Sequence, residues 1–286
     1  MKKLLLLIAT VGLVMAAISC SDEDEPKRGN GVFTVNPLMI NHMYNTLTNE
    51  LIGLKTTHNK LTFDTVNHTA SLELNYNDGS DKTLILNDIK ATFKRLGAYG
   101  VYVLKSPSDD RFSGYVDISQ GSMRYRYTTA DGIRVISFLP EIYFLRTKNT
   151  VTYDDTTKAT TMESTMYHFN INTASGDAMV QVMDIVHAKD LKRFNNLTAM
   201  SIPYTVTAKG FTFQAQNVST TGSYTAWVDS TGSNIKTTDQ YPFKTFNATV
   251  NMADDPVNDL LDATYMMGGS ATVVATGSTY PIVTTN

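Results

Sequence analysis

Five histidines, His42, His58, His68, His168 and His187, are the side chains best suited to acid–base or metal chemistry, and their spacing favours neither. No two of them stand at i, i+2 or i, i+4, and there is no HExxH, so no single element offers paired imidazoles to a metal. Asp109-Asp110 and Asp154-Asp155 are acid pairs, but a glycosidase holds its two carboxylates about 5–10 Å apart across a cleft. Neighbours on a loop read instead as solvated turn residues. The serines lack a GxSxG elbow, and no GxxxxGK[ST], strand-borne GxGxxG or DxDxDG loop occurs. Gly268-Gly269 reads as a turn or bulge. The expectation is a protein that is not an enzyme, with no catalytic residues, no metal and no cofactor. One residue has a definite chemical role. Cys20 is the only cysteine, and it sits where the first apolar run stops.

That run gives the address. Lys2 and Lys3 precede the apolar stretch Leu4 to Ile18, which ends in small residues, the order of a secretory signal over 1–19. At about 1.5 Å per residue such a helix reaches roughly 22 Å, short of a ~30 Å hydrocarbon core. Ala17-Ile18-Ser19-Cys20 resembles the lipobox of bacterial lipoproteins, with Ala17 where that family prefers Leu. Ser21-Asp22-Glu23-Asp24-Glu25 resembles the surface-export tag of Bacteroidetes lipoproteins. The resemblance implies cleavage before Cys20, lipidation of Cys20, and stable anchoring in the outer membrane by several acyl chains. It implies display at the cell surface, the alternative being the periplasmic face. Pro26 to Gly31 reads as flexible linker, so residues 20–35 form an acidic tether.

Removing residues 1–19 from the 286 leaves 267, enough for one large all-β domain or two modest ones. Apolar content is 42% and charged content 18%, which supports a real core and argues against disorder. The mature chain loses two of 24 basic residues and none of 27 acids, leaving a charge of −5. That balance speaks against nucleic acid as a partner. With Cys20 lipidated the body has no thiol, which excludes disulfides, thiolate catalysis and cysteine-ligated metal.

The body reads as strands. Residues 36–56 are ambiguous between a helix begun at Asn36-Pro37 and an extended hairpin; their Thr and Asn content favours the hairpin. Ala70 to Tyr76 alternates apolar and polar residues, the period of a half-buried strand. Asn77-Asp78-Gly79-Ser80 and Asp131-Gly132 are tight-turn signals. Short strands with frequent turns continue to Ala275, the pattern of an antiparallel sandwich or barrel. One short helix is predicted near 188–194, in Ala188 to Phe194.

A faint repeat divides this series. Phe63 to Leu74 and Phe169 to Val180 share an aromatic, an Asx turn and apolar residues nine and eleven positions after the Phe, at an offset of 106. Leu84 to Ile89 resembles Phe213 to Val218 at an offset of 129, so an insertion containing the His187 helix separates the two matches. Chance similarity between alternating strands is the competing explanation. The predicted organisation is an N-terminal β lobe over 36–160 and a C-terminal β lobe over 161–286, which either stand apart or share one domain.

Binding surfaces are the remaining resource. Arg124 and Arg126 alternate with Tyr125 and Tyr127, giving either core-facing tyrosines with arginines in water or a face of stacked tyrosines. Leu72, Leu74, Phe211 and Phe213 would point inward in a barrel, with Met179 and Met183 as deformable lining of an apolar cavity. Asp64-Thr65-Val66, Asp155-Thr156-Thr157 and Asp229-Ser230-Thr231 resemble bacterial O-glycosylation sites, with Thr65, Thr156 and Ser230 as acceptors. With the lipobox and acidic tag, the Tyr/Thr-rich strands Ser122 to Thr129, Phe246 to Asn251 and Leu261 to Thr276 resemble surface lipoproteins of gut Bacteroidetes that carry a β-rich domain without assigned activity. The resemblance implies a lipid-anchored protein with a β-rich, calycin-like fold. The expected function is a non-catalytic binding or structural role; the alternatives are a carrier of an apolar small ligand or lipid and a glycan-binding accessory protein.

Overall fold

The computed structural model describes residues 31–96, 99–117, 121–154, 159–187, 192–229, 232–237, 241–252 and 259–279. The chain is all-β and antiparallel, with no helix among the described residues. It divides into two compact units, one running to Leu139 and the other from Pro140 to Ile282. The expected division at 160 lies inside the second unit, because among the described residues the strand 141–153 pairs with strands that follow it, 159–172 and 271–278. The expected signal over 1–19 and Cys20 lie outside the described residues, and the last part of the expected tether, Val32–Val35, is already a strand.

The first unit holds β1 (Val32–Val35), β2 (Leu38–Asn45), β3 (Leu51–His58), β4 (Lys60–Asp64), β5 (Thr69–Asn77), β6 (Asp81–Leu96), β7 (Tyr99–Lys105), β8 (Phe112–Asp117), β9 (Ser122–Thr128) and β10 (Ile133–Phe138). Their order in the sheet is β1-β4-β5-β6-β7-β8-β9-β10-β2-β3. Residues 36–56 thus adopt the extended alternative. The register Val32↔Asp64 continues unbroken as Leu38↔His58 and Met43↔Gly53, so β1–β2 and β3–β4 are two long arms of one hairpin. Pro37, which has no N–H, and Asn59 stand level at its kink, where the Asn59 amide donates to Pro37 O. β2 bonds to β10 and β4 bonds to β5, so the hairpin joins the two ends of the sheet and wraps it into a ring. Leu72, Leu74, Phe63, Tyr102, Phe112, Tyr125 and Val135, drawn from all round the ring, share one buried cluster.

The second unit holds β11 (Glu141–Tyr153), β12 (Ala159–Asn172), β13 (Asp177–His187), β14 (Lys192–Thr207), β15 (Gly210–Val218), β16 (Thr220–Asp229), β17 (Gly232–Thr237), β18 (Phe243–Asn251), β19 (Leu260–Met267) and β20 (Ala271–Ser278). The β13–β14 ladder closes β11-β12-β13-β14-β15-β18-β19-β20 into an eight-stranded antiparallel barrel. The helix predicted near 188–194 is corrected here: Lys192, Arg193 and Phe194 open β14 and pair with His187, Val186 and Ile185. Residues 188–191 lie outside the described residues. Pairing on both sides of Phe194, to Ile185 and to Tyr224, overrides the helix propensity of the local sequence.

The two rings have related topology. The β4–β5 turn, Asp64 to Thr69, matches the β12–β13 turn, Asn172 to Asp177, at an offset of 108, and in each the Asx side chain accepts from two turn amides. The 16-residue β6 matches the 16-residue β14 at an offset of 111, and β9–β10 matches β19–β20 at 138, bringing Tyr127 onto Tyr265 and Val135 onto Val273. The offset of 106 read from sequence is a slip of two residues, which preserves the inward face of a strand. The second sequence match fails, because it aligns β6 with β15. The inserted element is the β16–β17 hairpin, not a helix.

Candidate functional site

The barrel interiors are occupied by rings. In the first unit Phe63 packs against Phe33 and Tyr102 at centroid distances of 5.4 and 5.0 Å, and Phe93 meets Tyr102 at 5.3 Å. In the second, Phe169 meets Phe213 at 4.8 Å and Phe243 meets Tyr265 at 5.0 Å. Leu72, Leu74, Phe211 and Phe213 point inward as expected and are spent on this packing. Met179 and Met183 are not lining: they alternate with the inward Ala178, Val180 and Val182 and lie on the outer face. Tyr125 and Tyr127 are core residues, and burial pushes the Tyr125 hydroxyl well above the usual phenol range. Arg124, expected in water, is only 2% exposed.

The histidines are scattered. His42 is buried on β2, His58 Nδ1 donates to Asn36 O at 3.1 Å, His68 sits in the β4–β5 turn at φ 53°, and His187 is the last residue of β13. His168 belongs to a belt on the outer wall. Its ring stacks on Tyr143 at 4.2 Å and 7°, while the Tyr143 hydroxyl donates to Glu141 Oε2 at 2.7 Å. Nε2 of His168 stands 3.9 Å from that same Oε2. Burial lowers the affinity of this imidazole for a proton, against the pull of Glu141 and a bond with Gln181. Among the described residues no three His, Asp or Glu side chains converge on a metal position.

Of the modification sites, Cys20, Thr156 and Ser230 lie outside the described residues. Thr65 opens the β4–β5 turn, and its hydroxyl donates to Gly31 O at 3.1 Å, a bond a sugar there would replace.

Among the described residues, one open feature is a groove of about 550 Å³ on the outer wall of the second barrel, within the ~300–1,000 Å³ of small-ligand sites. Its origin is a broken ladder. β14 pairs with β16 up to Ala199 and with β15 from Tyr204, leaving Met200 to Pro203 without a rung on that side. Ser201 at φ 55° and Asn217 at φ 53° take the left-handed conformation on the two facing strands, which splays them. The floor is β15 against β18, where Gln214 stands opposite Asn247 and Gln216 opposite Thr245. Ser201, Pro203, Ala215 and Val218 complete the walls. The lining is carboxamides, hydroxyls and small apolar groups, with no ionisable side chain. Each carboxamide both donates and accepts, which suits hydroxyl partners. Sequence reasoning missed this site; a proline inside a strand, Pro203, was the signal of a bulge that could have found it.

No protein-family model matches the chain, and no curated protein matches it.

Proposed function

We propose that this chain is a lipid-anchored lipoprotein of the outer membrane, displayed at the cell surface, with a non-catalytic binding role. Its site is the groove between β14, β15 and β18, and its ligand is a neutral glycan. The observation that carries the reading is the pairing of Gln214 with Asn247 and Gln216 with Thr245 on an open, uncharged floor. Such a floor can exchange hydrogen bonds with sugar hydroxyls but has no ionisable acid or base to activate a hydroxyl for bond cleavage. The competing reading, a carrier of an apolar ligand or lipid, has less support, because the inward residues it would use are packed against each other. The address rests on the lipobox and acidic run around Cys20.

The test is calorimetric titration of the soluble Cys20→Ala chain with neutral oligosaccharides. Each lost neutral hydrogen bond is worth about 0.5–1.5 kcal/mol, so Gln214→Ala with Asn247→Ala should weaken binding roughly 5- to 150-fold. Binding heats unchanged in that double variant would remove the groove from the reading. No heat with any oligosaccharide, together with stabilisation by fatty acids, would favour the carrier.

A further inference from the structure

The floor of the groove does not stop at β18. Gln214 on β15 stands opposite Asn247 on β18, Asn247 opposite Thr264 on β19, and Thr264 opposite Val274 on β20. A second row runs beside it in the same register, from Gln216 through Thr245 and Met266 to Thr272. Both rows lie on the outer face, since the residues between them on β18, β19 and β20, namely Phe246, Tyr265 and Val273, are fully buried. Gln214, Gln216, Thr245, Asn247, Thr264 and Val274 are exposed. Neither row carries a charge. On these four strands the charged side chains are Lys244 and Asp262, and they stand at opposite margins of the strip. Elsewhere in the chain, polar side chains on facing strands bond to each other, as Thr34 does with Thr62 at 3.0 Å and Gln181 with Thr198 at 3.2 Å. Among the described residues no such bond joins Gln214 to Asn247 or Asn247 to Thr264, which leaves their donors and acceptors turned outward.

We propose that the groove is one end of a longer strip, and that its ligand is an unbranched neutral oligosaccharide of about four sugars lying across β15, β18, β19 and β20, at the strand spacing of about 4.8 Å. The proposal rests on the glycan reading of the groove and names the length and direction of the ligand. One step between neighbouring strands is comparable to one sugar of a chain, so successive sugars meet the successive pairs Gln214 and Gln216, Asn247 and Thr245, Thr264 and Met266, and Val274 and Thr272. The two rows are two residues apart along each strand, roughly 6.7 Å, comparable to the width of a pyranose ring. The chemistry changes along the strip in a way that suits sugars. Carboxamides and hydroxyls at the groove end match a ring's hydroxyl rim. Met266 and Val274, diagonal neighbours at the far end, offer apolar contact to its C–H face. Rotation at each glycosidic linkage lets the chain follow the curve of the wall. An anionic polymer would gain nothing from rows without a cation, and a wholly apolar ligand would strip water from the amides and hydroxyls without replacing their hydrogen bonds.

The test is a length series. The full mature chain with Cys20→Ala is titrated calorimetrically with α-1,4- and β-1,4-linked gluco-oligosaccharides and β-1,4-linked manno- and xylo-oligosaccharides, each from two to six sugars. For the series that binds, each added sugar that gains one neutral hydrogen bond should tighten binding about 2- to 12-fold, with a plateau near four sugars. Thr264→Arg, a long side chain laid across the strip beyond the groove, should abolish the gain of the tetrasaccharide over the disaccharide and leave disaccharide binding intact. A disaccharide that binds as tightly as the tetrasaccharide, with Gln214→Ala and Asn247→Ala still weakening both, would confine the ligand to the groove and overturn the strip alone. A loss in Thr264→Arg shared equally by every length would also overturn it. Absence of binding at every length and linkage would remove the groove reading and the strip together. Should Thr264→Arg fail to fold, the length series on the unsubstituted strip still decides the proposal.

Discussion

Asn41 and Asn149 occupy the same position in the two units, at the offset of 108 that also relates the Asx turns, and both are wholly buried. In the first, Asn41 Nδ2 donates to Thr57 Oγ1 at 2.9 Å and Asn75 O at 2.7 Å. In the second, Asn149 Nδ2 donates to Thr147 Oγ1 at 2.8 Å, and Oδ1 accepts the Tyr167 hydroxyl at 2.5 Å. The partners are matched too: Thr57 Oγ1 donates to Asn75 O on β5, and Thr165 Oγ1 donates to Asp184 O on β13. Each ring thus carries a polar node where its wall parts, with side-chain bonds in place of ladder rungs.

The node in the second barrel has a fixed proton order. Tyr167 gives its proton to Asn149, so Tyr265, 2.9 Å away, must donate to the Tyr167 oxygen. Asn149→Leu removes the end of this chain and strands buried hydroxyls at about 1–3 kcal/mol each. The expected loss is roughly 2–4 kcal/mol in urea unfolding with an unchanged m-value. Tyr265→Phe should cost less, since it removes a donor and leaves the Tyr167–Asn149 bond in place. A smaller effect for Asn149→Leu than for Tyr265→Phe would contradict this order.

His168 predicts acid sensitivity. The residue is 7% exposed, and desolvation holds its pKa below the ordinary 6.5, Glu141 and Gln181 opposing only in part. In the unfolded chain the group titrates near 6.5. Between the folded and unfolded values the unfolded chain binds more protons, so stability falls as pH drops below about 6.5 and levels off under the folded value. One such group gives a slope of at most about 1.4 kcal/mol per pH unit. Melting temperatures of wild type and His168→Gln should diverge below pH 6.5, with the variant the flatter. Parallel curves would show that the imidazole is neutral in both states or charged in both.

Much of the fold was legible because it is local. Ala70, Leu72, Leu74 and Tyr76 alternate inward as their period demands, and Asn77 to Ser80 and Asp131-Gly132 are hairpin tips. The unit boundary was not legible, since Leu139-Pro140 separates two strands no differently from other short loops. The burial of Arg124 was not, because period-2 alternation separates the two faces of β9 without saying what each meets. The groove depends on Ser201 and Asn217, on different strands, both turning left-handed where those strands part. That is a property of the pairing, and neither residue type announces it.

Two glycines separate conformation from crowding. Gly176 at φ 72° has nothing within 4 Å of the place a Cβ would take, whereas at Gly210, φ 137°, a Cβ would lie 2.1 Å from Val250 O. Both substitutions to Ala incur left-side backbone strain of about 1–3 kcal/mol. Gly210→Ala must also push β15 off β18, so it should be the more destabilising and should weaken glycan binding. Equal melting temperatures for the two variants would mean that β18 yields freely there.

The anchor can be tested apart from the groove. Under the proposed lipidation, membrane attachment depends on Cys20, so Cys20→Ala should move the protein wholly into the aqueous phase of a detergent partition. Replacing Asp22, Glu23, Asp24 and Glu25 with Ala should keep the protein in the detergent phase but protect it from protease added to intact cells. The β2–β3 turn offers a reporter, since Leu47 stands 82% exposed at the end of the long hairpin away from Val32. Engineering a specific cleavage sequence there makes surface display a yes-or-no reading: wild type is cut on whole cells, and the acid-free variant is cut only after lysis. Cleavage of both on whole cells would show that the acidic run is a spacer and that export is specified elsewhere.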